Sequence, residues 1–474
     1  MSRRQQTIER VSVLDYAAEG RALARLDGKV IFIEGGAVPG DEVDIRVIKD
    51  RKDWAIARVV QFRKYAPQRV EPFCAHFGLC GGCAWQMLPY PQQLQYKQRQ
   101  VQEVFQHIGR ISFPWIKPII AADRITGYRN KAEFTAADRA FLPEKTWETF
   151  TYTQQTPPPA LGYHVAGHFD RVLQIETCHL VPEPVNRLRN RVYAFCMQYQ
   201  KQLGYQLFYH IRHHTGWLRG LSIRINKQHE MMANLIFAYA DQSLLRALCD
   251  MLLREFPELS TLYVTINTKK NDSLQDLEPE LVHGPGYLLE RLGAYVFKIG
   301  PKSFFQTNSY QAERLYDQVK QMAALRGTET VYDLYCGTGS IGIYVADQAA
   351  KVIGIEQVPE AVEDARQNIR LNGLSHVQVY AGDVLEVWDE AFLAQHGRPD
   401  VVITDPPRAG MHPKLVGRLL QVRPRLVIYV SCNPATQARD LQQLQQAYRI
   451  DEVQPLDMFP HTHHIENIVK LVSI

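Results

Sequence analysis

No stretch of this chain approaches the roughly 18 consecutive apolar residues that a membrane-spanning helix needs, which excludes the helical membrane class, and no membrane partner is expected. The opening, MSRRQQTIERVSV, lacks the apolar core of a secretory signal, so a cytoplasmic location is expected. Cysteine is scarce, eight in 474 residues, too few to staple a chain of this length with disulfides. A surplus of one charge is missing as well: 54 Lys and Arg meet 50 Asp and Glu, for a net charge of +4. No internal repeat or low-complexity tract stands out, and no pattern marks an obligate protein partner. What is present is apolar material, 46% of the residues, enough for two to four packed cores, so the chain reads as a multidomain globular protein.

The charge balance gains meaning when it is divided along the chain. Residues 1–70 hold 14 Lys and Arg against 10 Asp and Glu, which alone matches the whole surplus. From Asn186 to Arg224 there are seven Lys and Arg and no acid, interleaved with Tyr193, Phe195, Tyr199, Tyr205, Phe208, Tyr209 and Trp217. Cations neutralise phosphates and rings stack on unpaired bases, so this segment is expected to form an RNA surface. The competing reading puts its rings in a core beneath a solvated basic face.

Residues 1–65 break into short alternating strands punctuated by Gly20, Asp27-Gly28, Gly35-Gly36 and Pro39-Gly40, the pattern of a small closed barrel. Three cysteines then crowd together, Cys74-AHFGL-Cys80-GG-Cys83. In a reducing compartment this grouping points to a metal or cluster, and its spacing does not choose between zinc and iron–sulfur. Residues 66–300 mix strand-like and helix-like runs, as in a central α+β domain that carries the cysteines, and the helical run at about 90–110 can pack on the domain that follows. Cys196 and Cys249 sit in apolar helical patterns and are expected in the core. Trp147 to Pro159, with three consecutive prolines, reads as a surface loop. From 301 to 474 apolar strands alternate with amphipathic helices, a doubly wound parallel sheet whose ligands bind beyond the carboxyl ends of its strands. The fold class is therefore multidomain α/β.

That last region carries the chemistry. The strand VYDLY runs into CGTGS and a helix, where glycines permit a tight turn and close approach of a ligand and Asp333 can orient the loop. Successive strands then end in Glu356, Asp383 and Asp405. A carboxylate can accept both hydroxyls of a ribose, and there is no phosphate-binding lysine. Such a site suits an adenosine ligand without phosphates, S-adenosyl-L-methionine, with a nicotinamide dinucleotide as the alternative. Helix capping by these acids is the plain structural reading.

The run EGRALARLDGKVIFIEGGAVPGDEVDIRV resembles a TRAM domain, an OB-like barrel attached to RNA-modifying enzymes. SFFQTN, DLYCGTGS, DPPRAG, YVSCNPAT and DMFPHTHHIENIVKL, in that order, resemble the RNA uracil-5-methyltransferase family. With the barrel and the cysteines, the resemblance spans nearly the whole chain. It implies a Rossmann-like methyltransferase domain at 301–474 in which Gln306, Tyr335, Glu356 and Asp405 bind S-adenosyl-L-methionine; Asp383 is added from its place at a strand end. It also implies that Cys178 joins Cys74, Cys80 and Cys83 around a 4Fe–4S cluster of structural role. His461, His463 and His464 match the family's loop before the base and are assigned no metal.

Uracil carbon 5 is too weakly nucleophilic to take a methyl group unaided, so a nucleophile must first add to carbon 6, and a thiolate both adds and leaves readily. The resemblance assigns that role to Cys432 and removal of the carbon 5 proton to Glu466. Forms with both the TRAM-like barrel and four cysteines resemble the 23S ribosomal RNA enzymes, so the expected substrate is 23S rRNA, with tRNA as the alternative. A non-catalytic RNA-binding protein is the reading of another class. A radical methylthiotransferase requires a different cysteine spacing.

Overall fold

The computed structural model describes residues 7–17, 20–111, 116–142 and 156–474. Most of the proline-rich stretch lies outside the described residues. The N-terminal sheet has six strands, in the order Thr7–Ser12, Glu42–Asp50, Trp54–Lys64, Lys29–Glu34, Ala22–Leu26, Asp15–Tyr16. Its two edges, Thr7–Ser12 and Asp15–Tyr16, are joined by only Val13 and Leu14. Val13 N–H donates to Asp41 O and Leu14 N–H to Leu23 O. One continuous segment thus pairs with both ends of the sheet and closes it, around Val11, Ala24, Ile31, Val43, Ile45 and Ala57.

The middle sheet has seven strands, ordered Glu280–His283, Leu259–Ile266, Met231–Phe237, Leu218–Ile225, Lys131–Ala137, Ala160–His164, Val172–Gln174. Met231–Phe237 and Leu259–Ile266 run parallel because the helix Gln242–Glu255 carries the chain between them. That helix and Glu183–Leu203 bury their apolar stripes in the sheet's core, with Cys196 and Cys249 among them. Here the RNA-surface reading of 186–224 fails. Phe195, Phe208, Tyr209 and Trp217 are buried, as are Arg189, Arg219 and Arg224. Of the cations nearer the surface, Arg187 pairs with Glu258, Arg191 with Glu255 and Arg212 with Asp170, while Lys201 stays exposed. The segment supplies both a helix and a central strand, so its rings alternate into the core, and Tyr205 is the ring left clearly exposed.

The C-terminal sheet is ordered Val377–Ala381, Lys351–Glu356, Thr330–Leu334, Val401–Thr404, Leu426–Ser431, Glu466–Ser473, Tyr448–Leu456. The first five are parallel, and Glu466–Ser473 is antiparallel to both its neighbours. Order reverses between Thr330–Leu334 and Val401–Thr404, which opens a crevice at the carboxyl ends, where doubly wound sheets bind ligands. The helix Tyr90–His107 belongs to this body, since Val101, Val104 and Phe105 share one apolar cluster with Tyr429, Leu441 and Leu444.

The same helix buries Lys97 against Asp457, Nζ to Oδ1 2.5 Å, both side chains fully excluded from solvent. Removing one member strands the other's charge, so Lys97→Met is expected to cost roughly 3–5 kcal/mol. The double replacement with Asp457→Asn should cost clearly less. Thermal unfolding of the two variants checks this, and equal losses would refute it.

Candidate active site

The register of the C-terminal sheet brings the expected nucleophile and base face to face. Ser431 lies opposite Asn467, so the next step out along both strands brings Cys432 across from Glu466. Glu466 also pairs with Leu456 on its other side. Glu466 is buried and Cys432 half-buried. Asp405, just beyond Val401–Thr404, reaches the same space. Asn433 caps the helix Pro434–Leu444 through Ala435 N–H (3.1 Å), while its Nδ2 donates to Arg408 O at 3.0 Å. Thr436 Oγ1 donates to the same carbonyl at 3.2 Å. The DPPR turn and the SCNPAT turn are thus one tied unit.

Their charges act on each other. Burial pushes the Cys432 thiol up to about 11, the Glu466 and Asp405 carboxylates push in the same direction, and the Arg408 guanidinium opposes them. Burial raises Asp405 to about 7. Burial and the neighbouring Asp405 charge push Glu466 well above the carboxylate range, with Arg408 opposing. Arg408 is exposed and was not among the residues singled out from the sequence, although it stands in DPPR. Its signal is positional, three residues beyond a strand-end carboxylate.

Of the expected cofactor residues, Glu356 and Asp383 lie within electrostatic reach of Tyr335. Tyr335 holds a left-handed backbone, φ 61°, between its strand and Gly337, a strained conformation of the sort found at ligand sites. Glu356 accepts Gly337 N–H on Oε2 and Val358 N–H on Oε1, both at 2.9 Å, and so fixes the turn. Asp333 Oδ2 accepts Gly342 N–H at 2.8 Å, the loop-orienting role read from its position. Gln306 sits half-buried in the segment before the helix Ser309–Ala323, its carbonyl held by Asn130 Nδ2 at 2.9 Å. Asp383 caps the short helix Val384–Val387, Oδ1 accepting Leu385 N–H at 2.7 Å. Capping therefore takes one of its oxygens.

Asp333 is almost fully buried, and its Oδ1 has no hydrogen-bond partner. Burial raises its carboxyl to about 7, reinforced by the Asp405 and Glu356 charges. A carboxyl raised in the folded state favours folding while protonated, so this contribution is present below pH ~4 and is lost as pH rises through about 7. The loss is at most about 4 kcal/mol at roughly 1.4 kcal/mol per unit. Asp333→Asn is expected to flatten that part of the stability profile of the free protein, as measured by thermal unfolding between pH 4 and 8. An unchanged slope would contradict it.

The four cysteines of interest are free and half-buried. Burial raises the thiols of Cys74 and Cys80 and brings Cys83 to about 12, and each feels the charge of Cys178. They are neighbours, yet among the described residues no three His, Cys, Asp or Glu groups are gathered tightly enough to hold a single metal ion.

The family model described as tRNA (Uracil-5-)-methyltransferase matches residues 287–474, and that of the TRAM domain matches residues 3–60. An uncharacterized RNA methyltransferase of Bacteroides thetaiotaomicron is 44% identical over 459 residues, covering 96% of this chain and 99% of its own. One from Porphyromonas gingivalis is 44% identical over 465 residues, covering 98% and 99%. Among solved structures, the tRNA (uracil-54, C5)-methyltransferase of Pyrococcus abyssi in complex with S-adenosyl-L-homocysteine superposes with a TM-score of 0.73 at 28% identity. That match covers 98% of this chain and 100% of that one.

Proposed function

The chain belongs to the RNA uracil-5-methyltransferase family, an S-adenosyl-L-methionine-dependent group of enzymes, and from that premise we propose that it methylates carbon 5 of a uridine in 23S rRNA through a covalent Cys432 adduct. The observation that carries the mechanism is the register that ends with Ser431 opposite Asn467, which sets Cys432 close enough to Glu466 and Asp405 to feel both charges. Cys432, as thiolate, adds to carbon 6 and leaves carbon 5 as an enolate carbon. Bound S-adenosyl-L-methionine supplies an electrophilic methyl group and departs as the neutral thioether. Glu466 then takes the proton from carbon 5, and the electron pair of that C–H bond expels the Cys432 sulfur from carbon 6. Asp405 and Arg408 set the charge around this exchange, while Gln306, Tyr335, Glu356, Asp383 and Asp405 hold the methyl donor.

The donor set Cys74, Cys80, Cys83 and Cys178, four thiols that feel one another's charge, suits a 4Fe–4S cluster, as the resemblance implies. Such a cluster would tie the 74–83 loop to the segment around Cys178. Protein purified without oxygen should be brown; colourless, zinc-loaded protein would overturn this assignment.

Two features suit contact with RNA. Phe304, two residues before Gln306, is 68% exposed and offers a face for stacking. A cleft of about 300 Å³ is lined by Arg124, Lys227, His229 and Tyr310, with Glu183 and Glu290 also in its wall, and the Arg124 guanidinium lies 4.3 Å from the Tyr310 ring centre. The Pyrococcus enzyme is named for tRNA and matches this chain over its whole length, which favours tRNA as the second reading. Transfer of labelled methyl to unmodified 23S rRNA and, separately, to unmodified tRNA decides between them. Label on tRNA alone keeps the chemistry and overturns the substrate.

A further inference from the structure

The connection from Leu456 to Glu466 is held along its first half to an unusual degree. Every backbone carbonyl from Asp457 to His461 has a donor from elsewhere in the chain. Gln311 Nε2 donates to Asp457 O (2.7 Å), Asn308 Nδ2 to Met458 O (2.8 Å), Lys97 Nζ to Phe459 O (3.2 Å) and Tyr128 Oη to Pro460 O (3.0 Å). His461 O accepts two backbone donors, Ala84 N–H at 2.8 Å and Trp85 N–H at 3.0 Å. These two residues directly follow Cys83.

His461 itself is in the left-handed region at φ 66°, which histidine adopts more readily than most non-glycine residues, and its neighbours hold it there. One of these is Gln93. Fully buried on the helix Tyr90–His107, it accepts His461 N–H on Oε1 at 2.9 Å, and its Nε2 lies 3.2 Å from His461 Nδ1. The same Nε2 donates to Trp85 O at 3.0 Å and Leu88 O at 2.9 Å. Phe73, beside Cys74, sets its ring edge-on to His461 at 5.0 Å and to His179, beside Cys178, at 5.2 Å. The cysteine loop and the loop leading to Glu466 are therefore locked together through one glutamine and one histidine.

We infer that Gln93 is a positioning residue for Glu466: by clamping His461 onto the cysteine loop it sets the strand end from which Glu466 removes the carbon 5 proton. This rests on the covalent mechanism proposed above. Cys432 lies on the other strand, so methyl transfer should survive loss of the clamp, while proton removal and release of RNA should slow. In the slowed step the carbon 5 proton goes to the Glu466 carboxylate and the bond from Cys432 Sγ to carbon 6 breaks, so its failure leaves methylated RNA attached to Cys432.

The test uses the full-length enzyme, methyl-labelled S-adenosyl-L-methionine and the RNA it methylates, followed by denaturing gels and steady-state rates. Gln93→Met keeps the volume and removes every bond. It is expected to lower kcat about tenfold to a hundredfold, the scale of a catalytic group displaced by about 1 Å, with KM little changed and a labelled protein–RNA band accumulating. Phe73→Leu, at a partly exposed ring, should show a smaller shift in the same direction and decides the matter if Gln93→Met does not fold. Glu466→Gln is the reference for accumulation. A band with Glu466→Gln but none with the clamp variants, whether kcat falls or holds, overturns the inference and leaves the mechanism standing. No band with any of the three overturns the mechanism itself.

Discussion

Cys432→Ala is expected to abolish methyl transfer, by at least about a thousandfold, and to abolish any covalent complex with RNA carrying 5-fluorouracil, in which the fluorine blocks proton removal and traps the adduct. No other thiol can substitute. Cys336, Cys196 and Cys249 are buried, and Cys74, Cys80, Cys83 and Cys178 are neighbours of one another in a separate group. A retained covalent complex would move the nucleophile elsewhere. The free enzyme adds a second reading of the same residue. Because burial and two carboxylates raise the thiol to about 11, alkylation of Cys432 should accelerate about tenfold per pH unit from 7 to 10, since the thiolate is the reactive form. A rate flat above pH 8 would contradict that environment.

Glu466→Gln is the variant expected to stop the reaction halfway. Its amide cannot take a proton, so turnover should fall by roughly a hundred- to ten-thousandfold, yet addition by Cys432 and methylation need no base at this position. Methyl-labelled RNA should therefore remain attached to the protein on a denaturing gel. Burial and the Asp405 charge, which raise the proton affinity of Glu466, make it a strong base once ionised. Loss of turnover without a retained adduct would assign proton removal to another group.

The catalytic sheet was legible because parallel strands buried on both faces read as unbroken apolar runs such as VVIT and RLVIYV, separated by amphipathic helices. The turn at Gly337 and the carboxylates at strand ends were legible for the same reason, since strand ends are where such sheets bind ligands. Asp383 shows the limit: a strand-end acid that precedes a helix is also a cap, and local sequence does not separate the two. The run from Tyr193 to Trp217 was misread because basic and aromatic residues compose a core helix and strand as readily as an RNA platform; what decides is which face each ring takes. The lock between Gln93 and His461 left no trace in the sequence. The partners are 368 positions apart, and neither lies in a local pattern that implies the other.

The helix Tyr90–His107 packs beneath the catalytic sheet, and the chain stays with that sheet a little longer. Lys117 N–H donates to Val453 O and Ile120 N–H to Pro455 O, covering the edge strand Tyr448–Leu456. It rejoins the same body where Arg314 Nη1 donates to Ala121 O at 2.7 Å and Asn130 reaches Gln306. The middle sheet is thus a loop-out whose exit and return lie side by side, spliced into a catalytic body that is discontinuous along the chain. Domains inserted this way tolerate exchange where their ends meet at the surface. The middle sheet is consequently an insert that leaves and re-enters the catalytic body at one place, so the strands that carry Cys432 and Glu466 are built without it. A chimera with a relative's middle sheet that retains Cys178, joined at these two adjacent crossings, is expected to keep this methyl-transfer centre.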